Sequence, residues 1–261
     1  MGIRKTVSLF LAFAAFAFCP ASALAEDWKA SLSTTYEEGK YGTGSMVETL
    51  YVPITVKRNF DMGDISLTVP YVVQRSAGQV IFVGGTVFRK NGGSAAVATN
   101  SGIGDVILKG TLYLLREYKK QPLDVSLAAN IKFPTADEGT GLGTGEFDET
   151  AGLEFSKILY PAWTGFFDFY HTLVGKPAGS GFKDKFSFDL GVAKKITPEL
   201  TGSVFYKEST PLVRGELDRR EILVYVEYRM TKEIALTAGV DVGLTASSPD
   251  YGITAGVSHK F

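Results

Sequence analysis

The last eleven residues, 251–261, alternate between two kinds of side chain up to the end of the chain. Tyr251, Ile253, Ala255, Val257, His259 and Phe261 are predicted to point to one face, and Gly252, Thr254, Gly256, Ser258 and Lys260 to the other. A strand that ends a chain still needs a hydrogen-bonding neighbour on each edge, and a closed barrel supplies the second neighbour from its first strand. The segment therefore predicts a closing strand at 250–261 that pairs antiparallel with a strand at 28–36.

This closing strand resembles that of bacterial outer-membrane proteins, in which a C-terminal Phe and apolar residues at every second position form the signal for insertion. Phe261, Val257, Ala255, Ile253 and Tyr251 match that pattern, whereas His259 stands where an aromatic residue is more usual. The resemblance implies that the barrel-assembly machinery recognises this strand, with Phe261 as the assembly signal. The alternative is the last strand of a soluble β-sandwich.

The start of the chain has the pattern of a signal peptide over residues 1–25, which leaves 26–261 as the mature domain. Arg4 and Lys5 precede an uncharged run at 6–18 that is too short for a membrane span, and Ala23-Leu24-Ala25 forms a small-x-small cleavage site. Cys19 also suits a lipoprotein, but Phe18 before it is bulkier than that processing accepts. Cleavage removes the only cysteine, so no disulfide or thiol chemistry is expected.

The charge balance and composition narrow the class of protein further. The mature 236 residues carry 25 basic side chains (27 minus the two at 4 and 5) and 28 acidic ones, a net charge of −3. This balance argues against a nucleic-acid partner. No apolar run after residue 25 reaches the ~20 residues of a transmembrane helix. The full chain of 261 residues holds 29 Gly, 18 Phe and 12 Tyr, which suit aromatic strands joined by Gly-rich loops. A membrane protein of this kind has to be a barrel, because a closed sheet satisfies its backbone in lipid.

Twelve segments of period two are present along the chain. They lie at roughly 28–36, 47–59, 64–75, 104–118, 123–133, 147–159, 163–173, 185–196, 199–208, 220–230, 233–245 and 250–261. Five tight connections alternate with six longer ones, as in barrels with short periplasmic turns and long extracellular loops. We therefore predict an all-β fold: a 12-stranded antiparallel up-and-down transmembrane β-barrel, monomeric, with both termini in the periplasm and its partners lipid and lipopolysaccharide.

The alternation assigns a lipid face and a lumen face to each strand. Ile65, Leu67, Val69, Tyr71 and Val73, for example, are predicted to face lipid. Ionisable residues predicted to face the lumen are Glu48, Lys57, Asp105, Lys109, Glu117, Asp124, Lys132, Asp148, Glu154, Asp168, Lys185, Asp189, Lys207, Glu227, Arg229 and Asp241. A Lys or Arg facing lipid at mid-bilayer costs ~2–4 kcal/mol, which constrains the register. Opposite charges are expected to pair across the lumen, with Lys109, Lys132, Asp168, Asp189, Glu227 and Asp241 as the network.

Two short motifs carry a more specific resemblance. Ser101-Gly-Ile-Gly-Asp105 opens one predicted strand, and Lys132-Phe-Pro-Thr135 closes the next before a Gly-rich loop that ends in Gly145-Glu-Phe-Asp148. This layout is similar to the transporter-like outer-membrane family named for the meta-pathway of phenol degradation. The resemblance implies a channel for uptake of small solutes, aromatic or apolar among them. A narrow porin for acidic oligosaccharides is the alternative, although such a porin would need a mostly basic lumen.

Enzymatic chemistry finds little support in the residues. The Gly-rich run at 139–145 has no following helix or Lys-Ser/Thr pair, so it is not a phosphate loop. A Ser-His-Asn lipid hydrolase would have to use His171 or His259, and neither has a recognisable Asn-x-x-Ser partner strand. We predict no catalytic residues, no cofactor and no metal site.

The longest connection, 76–103, contains a substantial apolar segment. Val80-Ile-Phe-Val83 and Val87-Phe88 would be a liability if they were exposed to water. The loop is therefore expected either to extend the wall as a hairpin about Gly84-Gly85 or to fold into the mouth, and the flexible return through Gly92-Gly93 and 94–98 favours the inward fold. Phe82, Val83 and Phe88 would then form an apolar entry patch for the solute.

Overall fold

The computed structural model describes residues 27–78, 80–89 and 96–261, and within these ranges the chain is almost entirely β-structure. The strands are β1 Trp28–Gly39, β2 Val47–Phe60, β3 Gly63–Ser76, β4 Val80–Val83, β5 Thr86–Arg89, β6 Ala98–Ile103, β7 Val106–Leu115, β8 Asp124–Phe133, β9 Asp148–Tyr160, β10 Trp163–Leu173, β11 Lys185–Lys195, β12 Leu200–Ser209, β13 Arg219–Arg229, β14 Ile234–Gly243 and β15 Tyr251–Lys260. Single 3-10 turns occupy Glu117–Lys119 and Glu138–Thr140. The predicted signal peptide, 1–25, lies outside the described residues.

The main sheet closes into an antiparallel barrel. Each wall strand pairs with its neighbours in chain order, and β1 pairs with both β2 and β15. At the seam Leu32 lies opposite Val257 and Tyr36 lies opposite Ile253. The closing pair and the 12-stranded barrel predicted from the terminal alternation are therefore confirmed. The orientation with both termini in the periplasm stays a prediction.

One wall strand is longer than predicted and is broken in the middle. β7 pairs with the first half of β3, and β6 pairs with its second half, so β6 and β7 together occupy one position in the wall. The predicted strand 104–118 is wrong at both ends, because the wall begins at Ala98 and the chain leaves it at Leu115. At the break, the Gly104 N–H donates to the Pro70 carbonyl (2.9 Å). A Cβ at Gly104 would lie 3.0 Å from the side chains of Pro70 and Val72.

The outer face of the barrel is apolar and exposed, as the alternation predicted. Ile54, Ile65 and Ile253 are each more than half exposed, at 54%, 51% and 54%. Glu48 is an exception to the predicted faces. The pleat places it on the same side as Ile54, where it pairs with Arg75 (3.3 Å) at the loop end of β2 and β3, so its predicted lumen position is wrong. Among the described residues, no helix has the length and apolar character to cross a membrane.

A second, two-stranded sheet fills one end of the barrel. β4 and β5 form a hairpin about Gly84-Gly85 that pairs with neither wall edge. The hairpin contacts inward side chains of β2, β3, β11 and β13, which come from different sides of the wall. The inward fold is therefore confirmed, and wall extension is excluded for 80–89. The predicted flexible return lies largely at 90–95, outside the described residues.

Candidate solute pathway

The hairpin buries both of its faces, because alternate residues pack in opposite directions. Val80, Phe82 and Val87 pack on one side with a cluster that also contains Tyr41, Val47, Val72, Ala136 and Leu142. Ile81, Val83 and Phe88 pack on the other side with Val174, Phe182, Leu212 and Val213. The predicted entry residues Phe82, Val83 and Phe88 are thus buried packing residues. Nothing in the packing tests their predicted role in solute entry.

Polar contacts also fasten the hairpin to the wall and to a loop. The Phe82 N–H donates to the Gly141 carbonyl (3.0 Å). On the opposite side, Arg219 Nη1 donates to the Val87 carbonyl (3.2 Å), and Arg89 pairs with Glu216 (3.1 Å). The hairpin is therefore attached to the wall and loops through its backbone as well as its side chains.

Arg219 lies at the centre of the polar contacts that hold the hairpin. Its guanidinium pairs with Glu37 (3.4 Å) and with Glu221, and it lies 5.8 Å from the ring of Tyr41. The Tyr41 hydroxyl donates to Glu37 (3.0 Å), and burial raises the pKa of Tyr41 well above its ordinary value, which keeps that donor protonated. Sequence reasoning missed this cluster, because Arg219 and Glu37 are 182 residues apart and neither lies in a motif.

The two family motifs meet at a buried ion cluster beside the hairpin. Lys132 pairs with Asp105 (3.0 Å) and Asp148 (3.2 Å) and donates to Thr144 (2.9 Å). The Thr135 hydroxyl donates to the Gly104 carbonyl (2.9 Å), so the end of β8 is joined to the corner between β6 and β7. The Lys132 side chain is only 2% exposed. It therefore braces the corner, and little of it is open to a passing solute.

The other members of the predicted network are distributed along the inner wall. Lys109 pairs with Glu154 (2.6 Å), and Asp189 pairs with Lys207 (3.2 Å). Asp168, Glu227 and Asp241 lie on the inward positions of β10, β13 and β14 without an ion pair in the described part of the chain. The structure thus pairs three of the six predicted residues, and it pairs them with Asp105, Asp148, Glu154 and Lys207 instead of with one another.

A chamber of about 320 Å³ lies under the tip of the hairpin. Its lining residues are Glu37, Gly85, Thr86, Phe88, Tyr170, Lys185, Ser187, Asp189, Lys207, Glu208, Ser209, Arg219, Glu221 and Leu223. The lining combines charges of both signs with two aromatic side chains, Phe88 and Tyr170. This volume is at the lower end of the range for small-molecule sites, roughly 300–1,000 Å³.

Inward aromatic rings lie against glycines of neighbouring strands. A Cβ added at Gly191 would stand 2.1 Å from the Phe205 ring, and one added at Gly239 would stand 2.1 Å from the Tyr225 ring. Tyr170 is similarly seated over Gly152. Because glycine has no side chain, each ring can lie back against the wall, which leaves space in the lumen. Sequence reasoning assigned strand glycines no such role.

The sequence matches the profile of the family described as "Putative MetA-pathway of phenol degradation" over residues 45–261. The chain belongs to this family. The matched region contains both motifs of the ion cluster, so the resemblance seen in Ser101–Asp105 and Lys132–Thr135 is confirmed. A comparison with curated proteins finds no significant match.

Solved structures of outer-membrane barrels share the fold of this family member. The KdgM porin has a TM-score of 0.57 at 7% identity, over 88% of this chain and 99% of that one. The CymD monoaromatic hydrocarbon channel has a TM-score of 0.51 at 8% identity, over 91% and 89%. The translocator domain of the autotransporter NalP from Neisseria meningitidis has a TM-score of 0.55 at 10% identity, over 98% and 98%. At such identities the likeness establishes the fold, a closed antiparallel β-barrel of the kind seen in outer-membrane proteins, and leaves the solute open.

Proposed function

We propose that the protein is an outer-membrane channel for the uptake of small solutes, with aromatic and other apolar compounds as its preferred class. The observation that carries the proposal is the chamber beneath the inserted hairpin, where Phe88 and Tyr170 stand beside charged side chains. A hairpin inserted in the barrel restricts free diffusion through the lumen, and the chamber beneath the hairpin has the size of a one-ring or two-ring molecule. Membership of a family named for phenol degradation and the likeness to a monoaromatic hydrocarbon channel support this solute class.

A porin for acidic oligosaccharides is the second candidate, and the likeness to the KdgM porin is its support. The charges of the inner wall weigh against it. The basic residues Lys109, Lys132, Lys207 and Arg219 are all paired with inward carboxylates. A polyanion needs a continuous basic path, which such a paired wall does not offer.

A lipid hydrolase is the least supported candidate. His171 stacks on Phe186 with ring centroids 4.4 Å apart, and Phe186 is 49% exposed on the lipid-facing side. His259 meets the Phe261 ring edge-on at 4.3 Å. Such aromatic contacts fit an interfacial role for both histidines.

Besides the solute, we infer three further partners: lipid, lipopolysaccharide and the barrel-assembly machinery. They follow from the proposed insertion in the outer membrane. We infer that the inserted protein is a monomer.

The hairpin is the part of the molecule through which this proposal is tested. We infer that Phe88 contacts the solute and that Phe82 and Val83 hold the hairpin in position, since Phe82 packs on the ring of Tyr51 at 5.3 Å. The test measures uptake of a panel of aromatics, sugars and fatty acids into proteoliposomes containing the wild type or Phe82→Ser/Phe88→Ser. An aromatic contact worth about 1 kcal/mol for the one ring inferred to contact the solute, Phe88, predicts that the ratio of aromatic to sugar uptake falls roughly fivefold.

The matched control is Phe147→Ser, because Phe147 is 55% exposed and lies in a loop. It should leave that ratio unchanged, and all three proteins should assemble to the same level. Wild-type liposomes that pass none of the panel would refute the channel function. An unchanged ratio in the double variant would remove the hairpin from solute selection.

A further inference from the structure

The charges around the chamber nearly all have partners. Arg219 is held by Glu37 and Glu221, and Lys207 by Asp189 at 3.2 Å. Glu208 is held by Arg220 at 3.0 Å. Among the described residues that line the chamber, this leaves Lys185 as the ionisable side chain without an oppositely charged partner within 4 Å.

Lys185 is placed to bind an anion inside the chamber. It lies at the start of β11 on the inward side, opposite Thr172 of β10. Its Nζ stands 4.8 Å from the centroid of the Phe88 ring, and the described part of the chain supplies it with no hydrogen bond. An ammonium group has three donors, and a ring face satisfies it only through the ring quadrupole. The N–H groups of Lys185 therefore remain available to an acceptor.

The chemistry around Lys185 also defines the rest of the ligand. Phe88 and Leu223 supply apolar surface to the same chamber, and Tyr170 adds an aromatic ring with a polar end. An anion with an apolar body can pair with the ammonium and bury that body against the side chains of Phe88 and Leu223. A second negative charge would meet the carboxylates of Glu37, Asp189 and Glu221, which are already balanced by their own cations.

We propose that the chamber is a binding site for small monocarboxylates with an aromatic or apolar body, and that Lys185 is the residue that selects them. The inference rests on the proposed channel function and refines its solute class. It predicts a preference for a monocarboxylate over a neutral molecule of the same shape and over a dicarboxylate. Benzoate, benzamide and phthalate are probes that differ in these respects.

The experiment measures the uptake of the three probes into proteoliposomes as a function of concentration, with protein-free liposomes subtracted. Lys185→Met removes the charge and keeps the length of the side chain, Lys185→Arg restores the charge, and Lys195→Met is the control. Lys195 lies at the other end of β11 and is exposed. A charge-assisted hydrogen bond of about 1.5 kcal/mol predicts that the half-saturating benzoate concentration rises roughly tenfold in Lys185→Met. It should return towards the wild-type value in Lys185→Arg and stay unchanged in Lys195→Met.

The uptake of benzamide separates the two levels of the proposal. If wild-type liposomes pass neither benzoate nor benzamide, the channel function itself fails. If benzamide enters while benzoate shows no dependence on Lys185, or phthalate is preferred to benzoate, the channel stands and the monocarboxylate site fails. A Lys185→Met variant that loses benzamide uptake to the same extent as benzoate uptake would give Lys185 a structural role and overturn the assignment.

Discussion

At the scale of single residues, Arg219 shows how one buried cation can stabilise both the barrel wall and the inserted hairpin. It neutralises two carboxylates, lies near Tyr41 and donates to the backbone of β5. Removing one partner of a buried ion pair leaves an uncompensated charge and costs about 3–5 kcal/mol. The backbone bond to Val87 would be lost at the same time, so the hairpin should loosen.

We therefore expect Arg219→Met to lower the free energy of unfolding by about 3 kcal/mol and to raise the ion conductance of the channel. Urea titration of the reconstituted protein and single-channel recording in planar bilayers measure the two effects. Arg220→Met is the matched control, because Arg220 is an exposed neighbour that pairs with Glu208 at the rim. Its unfolding free energy should change by less than about 0.5 kcal/mol. Identical conductance in the wild type and in Arg219→Met would show that Arg219 does not hold the hairpin.

At the scale of strands, inward aromatic rings lie against glycines of neighbouring strands, and we expect this arrangement to affect the width of the lumen. Phe205 of β12 lies over Gly191 of β11, and Phe166 of β10 lies beside it with ring centroids 5.7 Å apart. A methyl group at position 191 would occupy the space of the ring, so Phe205 would have to tilt towards the channel axis. Narrowing of the lumen and strain in the wall should therefore appear together.

Gly191→Ala is expected to destabilise the barrel by about 1–3 kcal/mol, the usual cost of overpacking, and to slow solute uptake. Gly110→Ala is the control, since Gly110 is also in a strand but a Cβ there meets no atom within 4 Å. Urea unfolding and proteoliposome uptake test both variants. Equal stability and uptake in the two variants would mean that Phe205 has room to move aside.

The closing strand supports a prediction about assembly. The Phe261 N–H donates to the Trp28 carbonyl (2.9 Å) beyond the last paired residue of β15, so removing Phe261 costs a single backbone bond at the seam. Deletion of Phe261 should therefore reduce the amount of protein in the outer membrane several-fold, while the unfolding free energy of the assembled fraction changes by only ~1 kcal/mol. Membrane fractionation and urea titration separate the two effects. Wild-type levels of the truncated protein would show that Phe261 is not an assembly signal.

The sequence predicted the strands of the barrel wall more fully than the contacts inside the barrel, for physical reasons. A strand between lipid and lumen must alternate, so residues such as Leu67 and Val224 reveal the register locally. β6 was missed because its sequence, Ala98-Thr-Asn-Ser-Gly-Ile103, is mostly polar and gives no apolar alternation. The Arg219 cluster depends on a contact between β13 and β1, which do not pair with each other, and no local pattern encodes it. The Lys132 cluster joins neighbouring strands, and the alternation placed its members in the lumen without showing which of them pair. The apolar run at 80–88 did indicate that this segment folds into the barrel, because so much apolar surface had to be covered.

At the scale of the whole molecule, the protein is a β-barrel with the β4–β5 hairpin inserted in one end and a small chamber beneath the hairpin. The wall matches barrels with quite different roles, so the wall itself does not define the solute. Selectivity depends instead on what the loops place inside. In this protein that is the β4–β5 hairpin, the loop containing Gly141 and Leu142, and the inward charges facing them.

The ion pair between Arg219 and Glu37 has a consequence for the order of folding. Arg219 is on β13 and Glu37 is on β1, and the two strands become neighbours around the wall only through β14 and β15. That bridge therefore spans the seam and cannot form until the first and last strands have joined. In a partly closed barrel the hairpin could still contact the wall and loops through Phe82 and Arg89, but Arg219 would lack its partner Glu37, so this part of the attachment is completed only when the barrel closes. Closure of the barrel is therefore expected to complete the support of the hairpin in the same step that removes the last free edge of the sheet.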